Sequence, residues 1–78
     1  MCRTIGLCNL PTGCRAKVMD LTLRGDIRRR LQDIGVVEGT VIEKVGVSPL
    51  GDPEAYLIKG AVIALRRDDS LGVLVEML

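Results

Sequence analysis

Apolar residues Ile27, Leu31 and Ile34 fall at i, i+4 and i+7, which lays one stripe down a short helix of about nine residues. Asp26 stands in its first turn, where a carboxylate meets the positive end of the helix dipole. Gly25 just before it tolerates the backbone geometry of helix entry. Gly35 stands where a left-handed residue ends a helix, and Val36 is placed to fold back on Leu31. Glu38-Gly39 then turns the chain into a β-rich remainder.

Around this helix the pattern changes from a period of 3.6 to a period of 2. Cys14–Leu21 alternates Ala16 and Val18 inward against Arg15 and Lys17 outward, as a half-buried strand does. Met19, Asp20 and Leu21 break the alternation, which predicts a bulge or the end of the strand. Thr40–Val47 is rich in β-branched residues and reads as a strand. Ser48-Pro49-Leu50-Gly51-Asp52-Pro53 is a turn cluster. Glu54–Lys59 returns as a strand, Gly60 makes a tight corner and Ala61–Arg66 follows as another strand. The polar run Arg67–Gly72 reads as a turn or a single helical turn, and Val73–Leu78 as the last strand. Residues 1–13 show no clean period. They read as an extended lead-in whose Leu7 and Leu10 anchor on the core.

The expected order is strand, helix, three strands, turn and strand. About five short strands with one inserted helix do not form a parallel βαβ sheet without further crossovers. The expected fold is mostly β, a small antiparallel barrel with the helix capping one end, since closure hides strand edges. Residues 1–78 are expected to form one domain of this kind.

Composition narrows the function. Apolar residues make up 47% of the chain, ample for a core. Eleven basic and ten acidic residues leave a net charge of +1, so no overall field steers the chain to nucleic acid or anionic lipid. The longest apolar run, Ala61–Leu65, is far too short to span a bilayer. With no secretory pattern at the start, a soluble, cytoplasmic protein without membrane insertion is expected. There is no histidine, the commonest general base near neutral pH, and no phosphate-cradling P-loop, so an enzyme is not expected. One tyrosine and no other aromatic cannot line a proline-peptide groove or stack nucleic-acid bases.

Cys2, Cys8 and Cys14 are evenly spaced, without the short spacers of paired zinc ligands. The plain expectation is free thiols packing as small apolar groups. The alternative is a soft-metal or redox site of Cys2, Cys8 and Cys14 shared between two chains. No cofactor is expected.

The ordered set Leu7-x-x-Leu10-x-x-Gly13, Arg29-Arg30-Leu31-x-x-Ile34-Gly35, Pro49-Leu50-Gly51-Asp52-Pro53 and Ala64-Leu65-Arg66 resembles the ferrous iron transport protein A (FeoA) family. The resemblance runs from about Leu7 to Glu76; the N-terminal cysteines are no part of the family's pattern. It implies an SH3-like barrel and an accessory role in bacterial ferrous iron uptake, with binding to the cytosolic part of the transporter FeoB and modulation of its activity or assembly. The alternative is a transition-metal-sensing or metal-binding module, related to the C-terminal SH3-like domain of iron-dependent repressors. A homodimer is left open.

For a docking surface the residues themselves point to the helix and the proline loop. Ile27, Leu31 and Ile34 are committed to the core, so Arg28, Arg29 and Gln32 are what the helix offers outward. Pro49, Leu50 and Asp52 add a stiff loop with an apolar tip. The competing expectation for the helix charges is mutual pairing, Asp26 with Arg29 or Arg30 and Asp33 with Arg29. Asp52, Glu54, Asp68 and Asp69 are expected to be solvated turn carboxylates.

Overall fold

A computed structural model describes residues 4–78. It contains six strands: β1 (Thr4–Gly6), β2 (Arg15–Leu21), β3 (Val41–Val47), β4 (Glu54–Ile58), β5 (Ala61–Leu65) and β6 (Val73–Met77). Helix α1 spans Asp26–Asp33, and α2 is the single turn Arg67–Ser70. All ladders are antiparallel, in the order β1-β6-β2-β3-β4-β5. No helix among the described residues is long and apolar enough to cross a membrane.

The sixth strand lies in the stretch expected to be a plain extended lead-in. Thr4–Gly6 pairs with β6, Thr4 opposite Glu76 and Ile5 opposite Val75, and Leu7–Asn9 follows as a 3-10 turn. Three residues are too short to display an alternation, and their partner strand lies at the other end of the chain. The two expected anchors are in place, with Leu7 and Leu10 both fully enclosed.

The remaining strands follow their apolar pattern. β2 buries Ala16, Val18 and Leu21, and its register on β6 slips between Val18 and Asp20, so Met19 is the extra residue of a bulge. A second slip between Lys44 and Gly46 leaves Val45 extra against β4. Bulges bend a strand and increase its twist, which lets a short sheet roll up. Lys59 and Gly60 take positive φ values of 49° and 83°, a two-residue turn that joins β4 to β5. The rolled sheet encloses Leu7, Val18, Ile42, Ile58 and Val75 with Leu31 of the helix.

Helix α1 ends as its local sequence dictates. Gly35 adopts φ 109°, its N–H donates to the Gln32 carbonyl at 3.1 Å, and the Val36 N–H donates to the Leu31 carbonyl at 2.9 Å. These two bonds close off carbonyls that a helix end otherwise leaves open. Val36 and Leu31 are buried together, while Ile27 and Ile34 are half-buried against the core.

Candidate docking surface and the buried charge pair

The outward face of α1 presents Arg28, Arg29 and Gln32 to solvent. Arg28 is less free than expected, because its Nη1 donates to the Leu21 carbonyl at the end of β2 (3.2 Å). The expected pairs of Asp26 and Asp33 with Arg29 and Arg30 do not form. The ion pair found among the described residues lies elsewhere, between Lys44 and Glu54. At exposed positions the entropy of holding two long side chains cancels most of the Coulomb gain, so suitable spacing alone does not make a pair.

In the proline loop the Gly51 N–H donates to the Ser48 carbonyl (2.8 Å), closing a turn with Pro49 and Leu50 at its tip. Leu50 is 94% exposed. Asp52 is exposed but engaged: its Oδ1 accepts the Arg67 N–H at 2.9 Å, and its carbonyl accepts the Ser48 hydroxyl at 2.8 Å. It therefore satisfies an N-terminal amide of α2, whose own preceding residue, Arg66, provides no side-chain cap. The residues flanking and forming α2 also face α1. Arg66 and Asp69 line one groove with Asp26, Ile27 and Arg30. The groove meets α1 on its Asp26–Ile27–Arg30 side, which the helical period turns away from Arg28 and Gln32, so the two stretches that the sequence singled out are not joined by it.

Glu54 does not belong with the solvated carboxylates. It is 3% exposed and Lys44 6%, and Lys44 Nζ lies 2.5 Å from Glu54 Oε2. Lys44 Nζ also donates to the Cys8 carbonyl at 3.3 Å. The Tyr56 hydroxyl lies 3.0 Å from Glu54 Oε1 and 3.4 Å from the Leu7 carbonyl; its one proton serves the shorter contact. Burial, above all, raises the Tyr56 pKa far beyond its ordinary 10.0; the nearby Ser70 hydroxyl works against this and the Glu54 carboxylate adds to it. Lys44 holds the Leu7–Asn9 turn against β3, and Tyr56 of β4 lies beside it. The buried charges were legible by parity: Lys44 shares the inward face with Ile42, as Glu54 does with Tyr56 and Ile58.

Of the cysteines, Cys8 is buried on the 3-10 turn, Cys14 is half-buried just before β2, and both are free thiols. Cys2 lies outside the described residues, so the proposed convergence of all three is not addressed by this structure. Among the described residues no group of three or more Cys, Asp or Glu side chains is placed to hold a metal ion.

Residues 5–77 match the family model described as the FeoA domain. The chain is 36% identical over 72 residues to the Fe(2+) transport protein A/Fe(2+) transporter FeoB fusion protein of Porphyromonas gingivalis, with 92% of this chain covered. It spans only 8% of that relative's length. A FeoA-like protein from Clostridium acetobutylicum superposes with a TM-score of 0.90 at 35% identity, covering 100% of this chain and 91% of that one. FeoA of Stenotrophomonas maltophilia, solved with zinc and described as an SH3 domain protein, gives 0.78 at 29% identity, covering 96% and 88%.

Proposed function

This chain belongs to the FeoA domain family, and from that premise we propose that it is an accessory protein of ferrous iron uptake that binds the cytosolic part of a FeoB-type transporter and modulates its activity or assembly. The observation that carries this reading is the Porphyromonas relative, in which a similar domain and FeoB share one polypeptide. A covalent link keeps two modules at high effective concentration, an arrangement suited to domains that work together. In this chain the same association is a protein–protein contact made in the cytoplasm, with no covalent chemistry of its own.

The contact draws on the outward face of α1 and on the proline loop. Arg29 and Gln32 are exposed with nothing bound, and Leu50 offers an apolar tip on a turn already closed by its own hydrogen bonds. A tip that is ordered beforehand loses little entropy on binding. Arg28 contributes beside Arg29 and Gln32, with its Nη1 held on the Leu21 carbonyl. Asp52 acts through the loop's shape, since its carboxylate is committed to α2.

The test is co-purification of the full chain with a FeoB-type transporter. The parent is retained. Arg28→Glu with Arg29→Glu, and separately Leu50→Ser, keep the fold and reduce retention. Arg29→Glu alone is the cleaner form, because Arg28 also anchors the Leu21 carbonyl. Retention of every variant at the parent level moves the contact to another face, and no retention of the parent removes the association itself.

A further inference from the structure

Among the described residues, strand β5 ends the strand order and is bonded to β4 alone. The Lys59-Gly60 turn makes Ile58 and Ala61 the first mutually bonded pair, so Ile63 and Leu65 also exchange bonds with β4. Val62 and Ala64 then point their N–H and C=O groups away from β4, and among the described residues neither finds a backbone partner in another part of the fold. The strand, Ala-Val-Ile-Ala-Leu, has no charge, proline or bulge to protect that edge, and Val62 is 67% exposed.

The same edge borders a groove of about 320 Å³. Ile63, Ala64, Leu65 and Arg66 line it in succession, facing Ile27, Arg30 and Ile34 of α1. Successive strand residues point to opposite faces, so Ile63, Ala64 and Leu65 line one groove together where it runs along the strand's edge. The groove has an apolar floor and an open backbone wall. At its rim stand two cations, Arg30 and Arg66, against one carboxylate, Asp69, and none of the three takes part in an ion pair among the described residues. Lys59 stands at the end of the strand near Gly35, where its aliphatic stem lies close to the glycine Cα.

We propose that the β5 edge takes up an extended partner segment as an added strand, with apolar side chains on Ile27, Ile34 and Ile63 and carboxylates on Arg30 and Arg66. Backbone pairing at Val62 and Ala64 supplies the hold, and the cationic rim selects acidic over basic segments. A second copy of this chain is the poorer occupant. Antiparallel pairing of β5 on itself about Ile63 sets Lys59 of each copy beside Arg66 and Arg67 of the other, which is repulsive. The inference does not depend on which protein supplies the segment, so it stands or falls apart from the transporter contact above.

The test uses the full chain, labelled with ¹⁵N, and a capped Val-Glu-Val-Glu-Val peptide, with Val-Lys-Val-Lys-Val as control. The acidic peptide should shift the Val62, Ile63 and Ala64 amides and slow hydrogen exchange at Val62 and Ala64. The lysine peptide should bind at least roughly tenfold more weakly. Ala64→Pro deletes an N–H that points away from β4, so the β4–β5 ladder survives while peptide binding is lost. Arg30→Glu is the second variant; it leaves the strand intact and should reverse the preference between the two peptides. Shifts elsewhere, equal binding of both peptides, or unaltered binding by the two variants would each overturn the proposal. So would the same amide changes on raising protein concentration alone, which would make a second copy the occupant.

Discussion

Helix α1 carries Asp26, Arg28, Arg29, Arg30 and Asp33 within eight residues, at spacings suited to pairing, and no ion pair forms among them. Strands β3 and β4 each carry one charge inward, Lys44 and Glu54, and these meet in the core with Tyr56 and the carbonyls of the Leu7–Asn9 turn. The difference is the solvent. On the helix, water already satisfies each charge, so pairing gains little. Inside the barrel, an unpaired lysine or glutamate would bear the full cost of lost hydration, so burial compels the pair. Helical spacing permits an ion pair; desolvation decides whether one is made.

The largest expected effect comes from breaking the buried side of this comparison. Glu54→Ala leaves Lys44 enclosed without its counter-charge and should lower stability by about 3–5 kcal/mol in chemical denaturation. The double variant Lys44→Met with Glu54→Met removes both charges and should recover most of that loss. If the double variant is no more stable than Glu54→Ala, the pair matters for packing rather than for charge.

Next comes the helix, struck through its backbone instead of its charges. Gly35→Val places a β-branched residue at φ 109°, with its Cβ 2.9 Å from Lys59 Cδ. The strain should cost about 1–3 kcal/mol in the thermal or denaturant midpoint. An unchanged midpoint would mean that the helix end does not need the left-handed conformation.

A smaller effect returns to the core. Tyr56→Phe removes the hydroxyl that donates to Glu54 and should cost about 1 kcal/mol at neutral pH. The same phenol has its folded pKa raised above 10.0 by burial. Its contribution is therefore fully present below pH 10.0 and is lost as pH rises from there toward the folded value. The parent should lose stability in that alkaline range more steeply than Tyr56→Phe, and parallel curves would show that the phenol is not held protonated by the fold.

The smallest effect sharpens the contrast. Asp33→Asn, which leaves Asp26 in place on the helix dipole, should not lower the melting midpoint, and the midpoint should respond little to added salt. A clear drop at low salt would show that the helix charges pair in solution after all, erasing the distinction drawn between the two regions.

Local instructions were readable from the residues alone. The stripe Ile27–Leu31–Ile34, the stop at Gly35-Val36, the alternation of Ala16 and Val18, the break at Met19 and the Gly60 corner each depend on neighbours a few positions away. Their hydrogen bonds and φ values close within one turn of helix or one hairpin, so residue type and spacing suffice. The resemblance read from four short segments also agrees with the FeoA family and its SH3-like fold. What only the tertiary structure decided involves partners far apart in the chain. Thr4–Gly6 became a strand because β6 lies beside it, Arg28 turned to the Leu21 carbonyl, and Asp52 capped α2. Lys44 and Glu54 joined because the rolled sheet withdrew both from water. Each of those outcomes is set by which groups the rolled sheet brings together and, for the buried pair, by desolvation, which belongs to the assembled fold rather than to any short stretch of residues.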